Sequence, residues 1–79
     1  MSRQLIDLVA DVLNARPEDL TKESGPGNQK EWDSLAHVTI VAAVEQTYGI
    51  QLTMPEMLAI RTIADLQKAI EGHGVVLSK

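Results

Sequence analysis

A chain of 79 residues supports a single domain near the lower size limit for independent folding, and it buries only a modest fraction of its surface. Its core has to be aliphatic, because 44% of the residues are hydrophobic while Phe is absent and Trp and Tyr occur once each. The lack of cysteine excludes a disulfide framework and a thiolate metal site, and the net charge of −4, with seven basic residues spread along the chain, excludes a nucleic-acid-binding patch. An acidic surface would speed encounter with basic protein partners, although mild acidity also serves solubility alone. No run approaches membrane-spanning length. Met1-Ser2-Arg3-Gln4 leads into an amphipathic pattern instead of a signal-peptide apolar stretch, so the cytoplasm is the expected compartment.

Leu5, Leu8, Val9, Val12 and Leu13 recur at three- and four-residue spacing and predict a first amphipathic helix. Arg16-Pro17 should end it, with Asn14 and Ala15 as its last residues, because Pro disfavours helical geometry in the residue before it. Residues 15–33 then read as a long connection, punctuated by Pro17, Gly25, Pro26 and Gly27 and wetted by Glu18, Asp19, Lys22, Glu23, Lys30 and Glu31. Connections of this length in a small domain tend to be functional or mobile. Leu20 and Trp32 are its large apolar anchors and should touch the core. Gly25-Pro26-Gly27 is not a phosphate-binding loop, since no Gly-Lys-Ser/Thr follows it.

A second helix is expected over Ser34–Tyr48, with Asp33 as N-cap and Gly49 as C-cap. Ile40, Val41, Val44 and Tyr48 supply a core face. Leu35, Val38 and Ala42, joined by Glu45, make a second stripe, so the helix is either buried all round or offers one face to a partner. The size of the domain favours a partner face. Ile50-Gln51-Leu52 should cross the core as an extended linker. Thr53-Met54-Pro55-Glu56 fits a capping box that opens a short helix through Leu58. Thr62-Ile63-Ala64-Asp65 is a looser version that opens a last helix with Ile63, Leu66 and Ile70 inward. Gly72 and Gly74 should close it before a flexible tail from Val75 to Lys79, leaving a core of about residues 4–71.

The chemistry is concentrated at Ser34. Asp33 sets this serine at the first helical position, pointing outward beside the loop, where another protein's active site could reach it. A nucleophilic role needs a base, and the histidines are His37 and His73. His37 lies one turn after Ser34, but the helical wheel turns it toward the core edge, and no Gly-x-Ser-x-Gly elbow surrounds the serine. His73 falls in the glycine-rich end and should be solvated. Glu31 and Asp33 could bind a cation weakly, with capping and solvation as the simpler role, and no set of His, Asp and Glu has metal-ligand spacing. Ser34 therefore reads as an attachment point, not a catalyst.

Asp33-Ser34-Leu35, the helix after it and its Tyr48-Gly49-Ile50 ending resemble the acyl carrier protein family. The likeness extends to the first helix, to Arg16-Pro17-Glu18-Asp19-Leu20 and to the short helix before Thr62, from about residue 4 to 71. It implies an all-α four-helix bundle with a short third helix and the long loop 15–33. It implies a covalent 4′-phosphopantetheine on Ser34, with Asp33 and Leu35 flanking it, transferred from coenzyme A by a holo-synthase that brings its own Mg²⁺. Asp33 would help bind that synthase. Leu35, Val38, Ala42, Glu45 and Ile63 fall at partner-contact positions, Ile63 facing the arm or its cargo. The protein implied is a discrete, monomeric carrier of acyl or aminoacyl thioesters, loaded by a ligase and unloaded by transferases or synthases, without nucleic acid or membrane among its partners. The second helix is poor in carboxylates and Trp32 precedes the motif, which points to a dedicated biosynthetic pathway over housekeeping fatty-acid synthesis. The competing reading is a small helical adaptor that binds a partner through the Leu35/Val38/Ala42 stripe and carries no prosthetic group.

Overall fold

The computed structural model describes residues 3–77, and among these the elements are α1 (Arg3–Leu13), a single 3₁₀ turn (Pro17–Asp19), α2 (Ser34–Tyr48), α3 (Met54–Ala59) and α4 (Ile63–Gly72). No strand occurs among the described residues. The expected all-α bundle with a short third helix is therefore observed. Met1, Ser2, Ser78 and Lys79 lie outside the described residues.

α1 buries Leu5, Val9, Ala10 and Leu13 and packs against α2, with Leu8 and Val12 half-buried at the flanks. It ends at Leu13, before the expected Asn14 and Ala15, because Asn14 turns left-handed at φ 56°. Ala15 N–H then returns to the Ala10 carbonyl at 2.9 Å and Asn14 N–H to that of Asp11 at 3.3 Å, a Schellman closure. Asn tolerates this backbone better than other residues with a Cβ, because its short amide can bond locally. Pro17, expected to stop α1, instead starts the 3₁₀ turn, where its missing N–H costs nothing.

The connection into α2 is stitched down along its length. Ser24, only 7% exposed, accepts the Thr21 N–H on its Oγ at 2.9 Å, and its own N–H returns to the Thr21 carbonyl. Asn28 accepts the Gly25 N–H and donates to the Glu23 carbonyl, both at 2.9 Å. The segment also completes α4: Ile63 N–H donates to the Ser24 carbonyl and Ala64 N–H to that of Lys22, each at 2.9 Å. Two first-turn donors of α4, which a helix leaves without internal partners, are satisfied this way. The approach is close enough that a Cβ on Gly25 would meet the Arg61 carbonyl oxygen at 1.9 Å. Only glycine fits there. The radius of gyration of 11.2 Å, against about 11.6 Å for a packed chain of this length, agrees with a loop laid on the bundle.

α3 and α4 are opened by the capping residues the sequence predicts. Thr53 Oγ1 accepts the Glu56 N–H at 3.2 Å and Glu56 returns a carboxylate to the Thr53 N–H at 2.8 Å, a complete capping box. Thr62 Oγ1 accepts the Asp65 N–H at 3.1 Å, but the Asp65 carboxylate bonds the N–H of Arg61 instead of that of Thr62. Asp is one methylene shorter than Glu, and the reciprocal bond moves one residue outward. Ile63, Leu66 and Ile70 are fully buried, as their spacing predicts. Val75 and Leu77 pack against the core, so this part of the expected tail is docked. His73 is not simply solvated either: its Nε2 meets a Glu56 carboxylate oxygen at 2.8 Å, joining the end of α4 to the start of α3.

Candidate functional site

Ser34 is exposed at the first position of α2. Asp33, extended at φ −90° and ψ −174°, accepts the Ala36 N–H on its side chain at 2.8 Å, and its carbonyl accepts the His37 N–H at 2.9 Å. The serine is thereby held, exposed, at the head of a fifteen-residue helix. Glu31, the other carboxylate near the motif, takes the Gln29 side-chain amide at 2.8 Å, and this bond holds its carboxyl below the usual range. Among the described residues no group of three or more His, Cys, Asp or Glu could hold a metal ion.

A cleft of ≈ 530 Å³ opens beside Ser34 and runs between α2 and α3. Val38, Met57, Leu58 and Ile60 supply its apolar walls, Arg61 stands at its rim, and Trp32 and His37 form part of its lining. Of the exposed hydrophobic side chains, Val38 at 53% and Leu58 at 67% line this opening, Leu35 at 76% follows Ser34 directly, and Met54 at 63% lies one turn before Leu58 on α3, whereas Val76 at 91% lies after α4. Ala42 is exposed further along the same helix. The two residues from α3 escaped the sequence reading. Met54 and Leu58 lie four apart and so share a face, but six residues are too few to show a period.

The two histidine nitrogens near the serine are occupied. Trp32, only 2% exposed, donates its indole N–H to His37 Nδ1 at 2.9 Å, and His37 Nε2 lies 2.9 Å from the Met57 carbonyl oxygen. An indole N–H can only donate and a carbonyl can only accept. His37 is therefore neutral, with its proton on Nε2, and has no lone pair left to take a proton from Ser34. The ring closes over structure, and a Ser-His hydrolase is excluded by this geometry.

Two other predicted residues sit inside the structure. Ile63 is completely buried in the core, so its side chain presents no surface to a partner here. Glu45, half-buried, accepts the Leu52 N–H on a carboxylate oxygen at 2.8 Å while its carbonyl receives the Gly49 and Ile50 N–H groups. Its charge is used to cap the segment that leaves α2. The exposed side chains of α2 nearest Ser34 are Leu35, Val38 and Thr39, none of them charged.

Comparison with known proteins places the chain as a whole among carriers. The family model described as "phosphopantetheine attachment site" matches residues 3–70. An acyl carrier protein of Coprothermobacter proteolyticus is 28% identical over 71 residues, covering 90% of this chain and 87% of its own. The acyl carrier protein MbtL of Mycolicibacterium paratuberculosis is 31% identical over 73 residues, covering 92% and 82%. Among solved structures, a holo acyl carrier protein from Geobacter metallireducens superposes with a TM-score of 0.77 at 23% identity, over 87% of this chain and 79% of that one, and shares the fold. An adaptor without a prosthetic group does not account for these matches. The chain belongs to the phosphopantetheine-binding acyl carrier protein family, whose members carry intermediates without catalysing their conversion.

Proposed function

We propose that Ser34 bears the 4′-phosphopantetheine arm and that the protein is a discrete carrier of acyl or aminoacyl thioesters in a dedicated biosynthetic pathway. The observation that carries this reading is the position of Ser34: exposed, first in α2, held by the Asp33 cap, and placed where the cleft and the apolar patch meet. A holo-synthase would join the Ser34 Oγ to the phosphorus of the arm while the nucleotide portion of coenzyme A departs, Asp33 helping to seat the enzyme and its Mg²⁺. Tethering replaces the encounter of each enzyme with a free substrate by an intramolecular search at high effective concentration.

The choice of a dedicated pathway rests on α2. Its one residue with a permanent charge, Glu45, is committed to the Leu52 N–H, which leaves Leu35, Val38 and Ala42 of that helix, with Leu58 of α3, to meet partners. Loading ligases and downstream transferases that fit this face would present an apolar depression in place of a basic patch. The likeness to MbtL, a carrier designated separately from general acyl carrier proteins, supports the same reading. The carrier works as a monomer in the cytoplasm, and no helix among the described residues is long and apolar enough to cross a membrane.

Intact mass spectrometry before and after incubation with a broad-range holo-synthase and coenzyme A tests the attachment. The expected result is a gain of one phosphopantetheine in the wild type and none in Ser34→Ala. A gain retained by the variant, or absent from the wild type, overturns it.

A further inference from the structure

Three groups drawn from three elements meet in the wall of the cleft. Trp32 comes from the end of the long connection, His37 from α2, and the Met57 carbonyl from α3. The indole and imidazole rings lie with centroids 6.0 Å apart and tilted by 37°, so the loop and α2 meet through the two rings. Both bonds are 2.9 Å long and partly buried, and both depend on the single neutral tautomer of His37. The core that Trp32 joins includes Ile40, Val44, Ile63 and Leu66, each no more than 1% exposed.

We infer that this Trp32–His37–Met57 clamp bars long aliphatic chains from the core, so that the protein carries short or polar acyl groups in the open cleft against Val38, Met57 and Leu58. The inference rests on Ser34 as the attachment point. An alkyl chain extending past the cleft would have to part α2 from α3, which of the two bonds only His37–Met57 joins, and wedge the Trp32 indole away from His37. That would strand the Trp32 indole N–H, a buried donor, and the His37 Nε2–H against hydrocarbon. The Met57 carbonyl would keep only its 3.3 Å bond from the Ile60 N–H. Unpaired buried donors are among the costliest defects a protein interior can hold, and a hydrocarbon chain offers neither of them an acceptor. A short acyl group needs no such rearrangement, because the cleft already reaches Ser34.

The test loads the full-length protein with acetyl, hexanoyl and tetradecanoyl phosphopantetheine from the corresponding acyl-coenzymes A. Intact mass first verifies one acyl arm on Ser34, so a failure of attachment is recognised separately at that step. Thioester cleavage by hydroxylamine is then timed for each species, and the Trp32 indole N–H resonance is followed by NMR. In the wild type, tetradecanoyl should be cleaved as fast as hexanoyl, and the indole proton should keep its shift and slow exchange in all three forms. In His37→Leu, which offers the route an apolar lining, tetradecanoyl should become protected by about tenfold or more over hexanoyl, the scale of burying a few further methylenes. If His37→Leu does not fold, Trp32→Phe, which removes the donor and keeps an aromatic ring, takes its place. Protection of tetradecanoyl over hexanoyl in the wild type overturns the inference. So does a folded clamp variant that shows no such protection.

Discussion

The imidazole of His37 shows how much one side chain settles in a domain with so little core to spare. It bonds residues on both sides of it, Trp32 five positions earlier and Met57 twenty later, and with them the loop, α2 and α3. Replacing it by Ala leaves the Trp32 N–H buried without an acceptor, so His37→Ala should cost about 1–3 kcal/mol in urea unfolding. Gly25 matters for a different reason. A methyl group there meets the Arg61 carbonyl oxygen, and the backbone has to shift. Gly25→Ala should destabilise by about 1–3 kcal/mol. Gly27, two residues on, has nothing within 4 Å of a would-be Cβ, and its alanine variant serves as the neutral control in the same urea series.

The helices owe their boundaries to capping, and two of the caps can be tested without touching the core. Asn14 closes α1 in the left-handed region. Asn14→Ala should therefore cost about 1 kcal/mol by thermal or urea unfolding, while Asn14→Gly should be tolerated. The α3 cap also carries a pH signature. The Thr53 backbone N–H, and after it the His73 side chain, hold the Glu56 carboxyl below its usual value of 4.5. A carboxyl depressed on folding contributes stability that is present above the unfolded-state value and lost as pH falls through the folded one. Glu56→Gln should thus be less stable than the wild type at neutral pH, and the two should converge as pH drops below about 4.5. Two curves that stay parallel through the acid range would show that the carboxylate contributes nothing through its charge.

At the scale of the whole molecule, the working surface is assembled from two successive helices, α2, which also buries Ile40, Val41 and Val44, and α3, which has no fully buried residue. α2 brings Ser34, Leu35 and Val38, and α3 brings Met54 and Leu58. These side chains are exposed, so changing them should leave the fold intact. Val38→Glu and Leu58→Glu should unfold within about 0.5 kcal/mol of the wild type, yet slow phosphopantetheinylation and loading. Kinetics that do not move would remove the patch from docking.

Much of the architecture is written in local sequence. The positions of four helices, the caps at Asp33, Thr53 and Thr62, and the exposed serine at the head of α2 follow from rules that act within one helical turn, and the structure has them where the residues indicate. The Asp33-Ser34-Leu35 motif and its helical frame also suffice to place the chain in its family. What the tertiary structure alone decides is which side chains that look available are already engaged. Ile63 disappears into the core, a Glu45 carboxylate oxygen is taken up by the Leu52 N–H, and His37 becomes a clamp instead of a base. Likewise, the connection of residues 20–33 is pinned to the start of α4 by the Ser24 and Lys22 carbonyls, a pairing no local pattern announces. The physical reason is the same in each case. Periodicity and capping describe neighbours three or four residues apart, whereas these bonds join groups five to about forty residues apart, and only packing brings such groups within hydrogen-bonding distance.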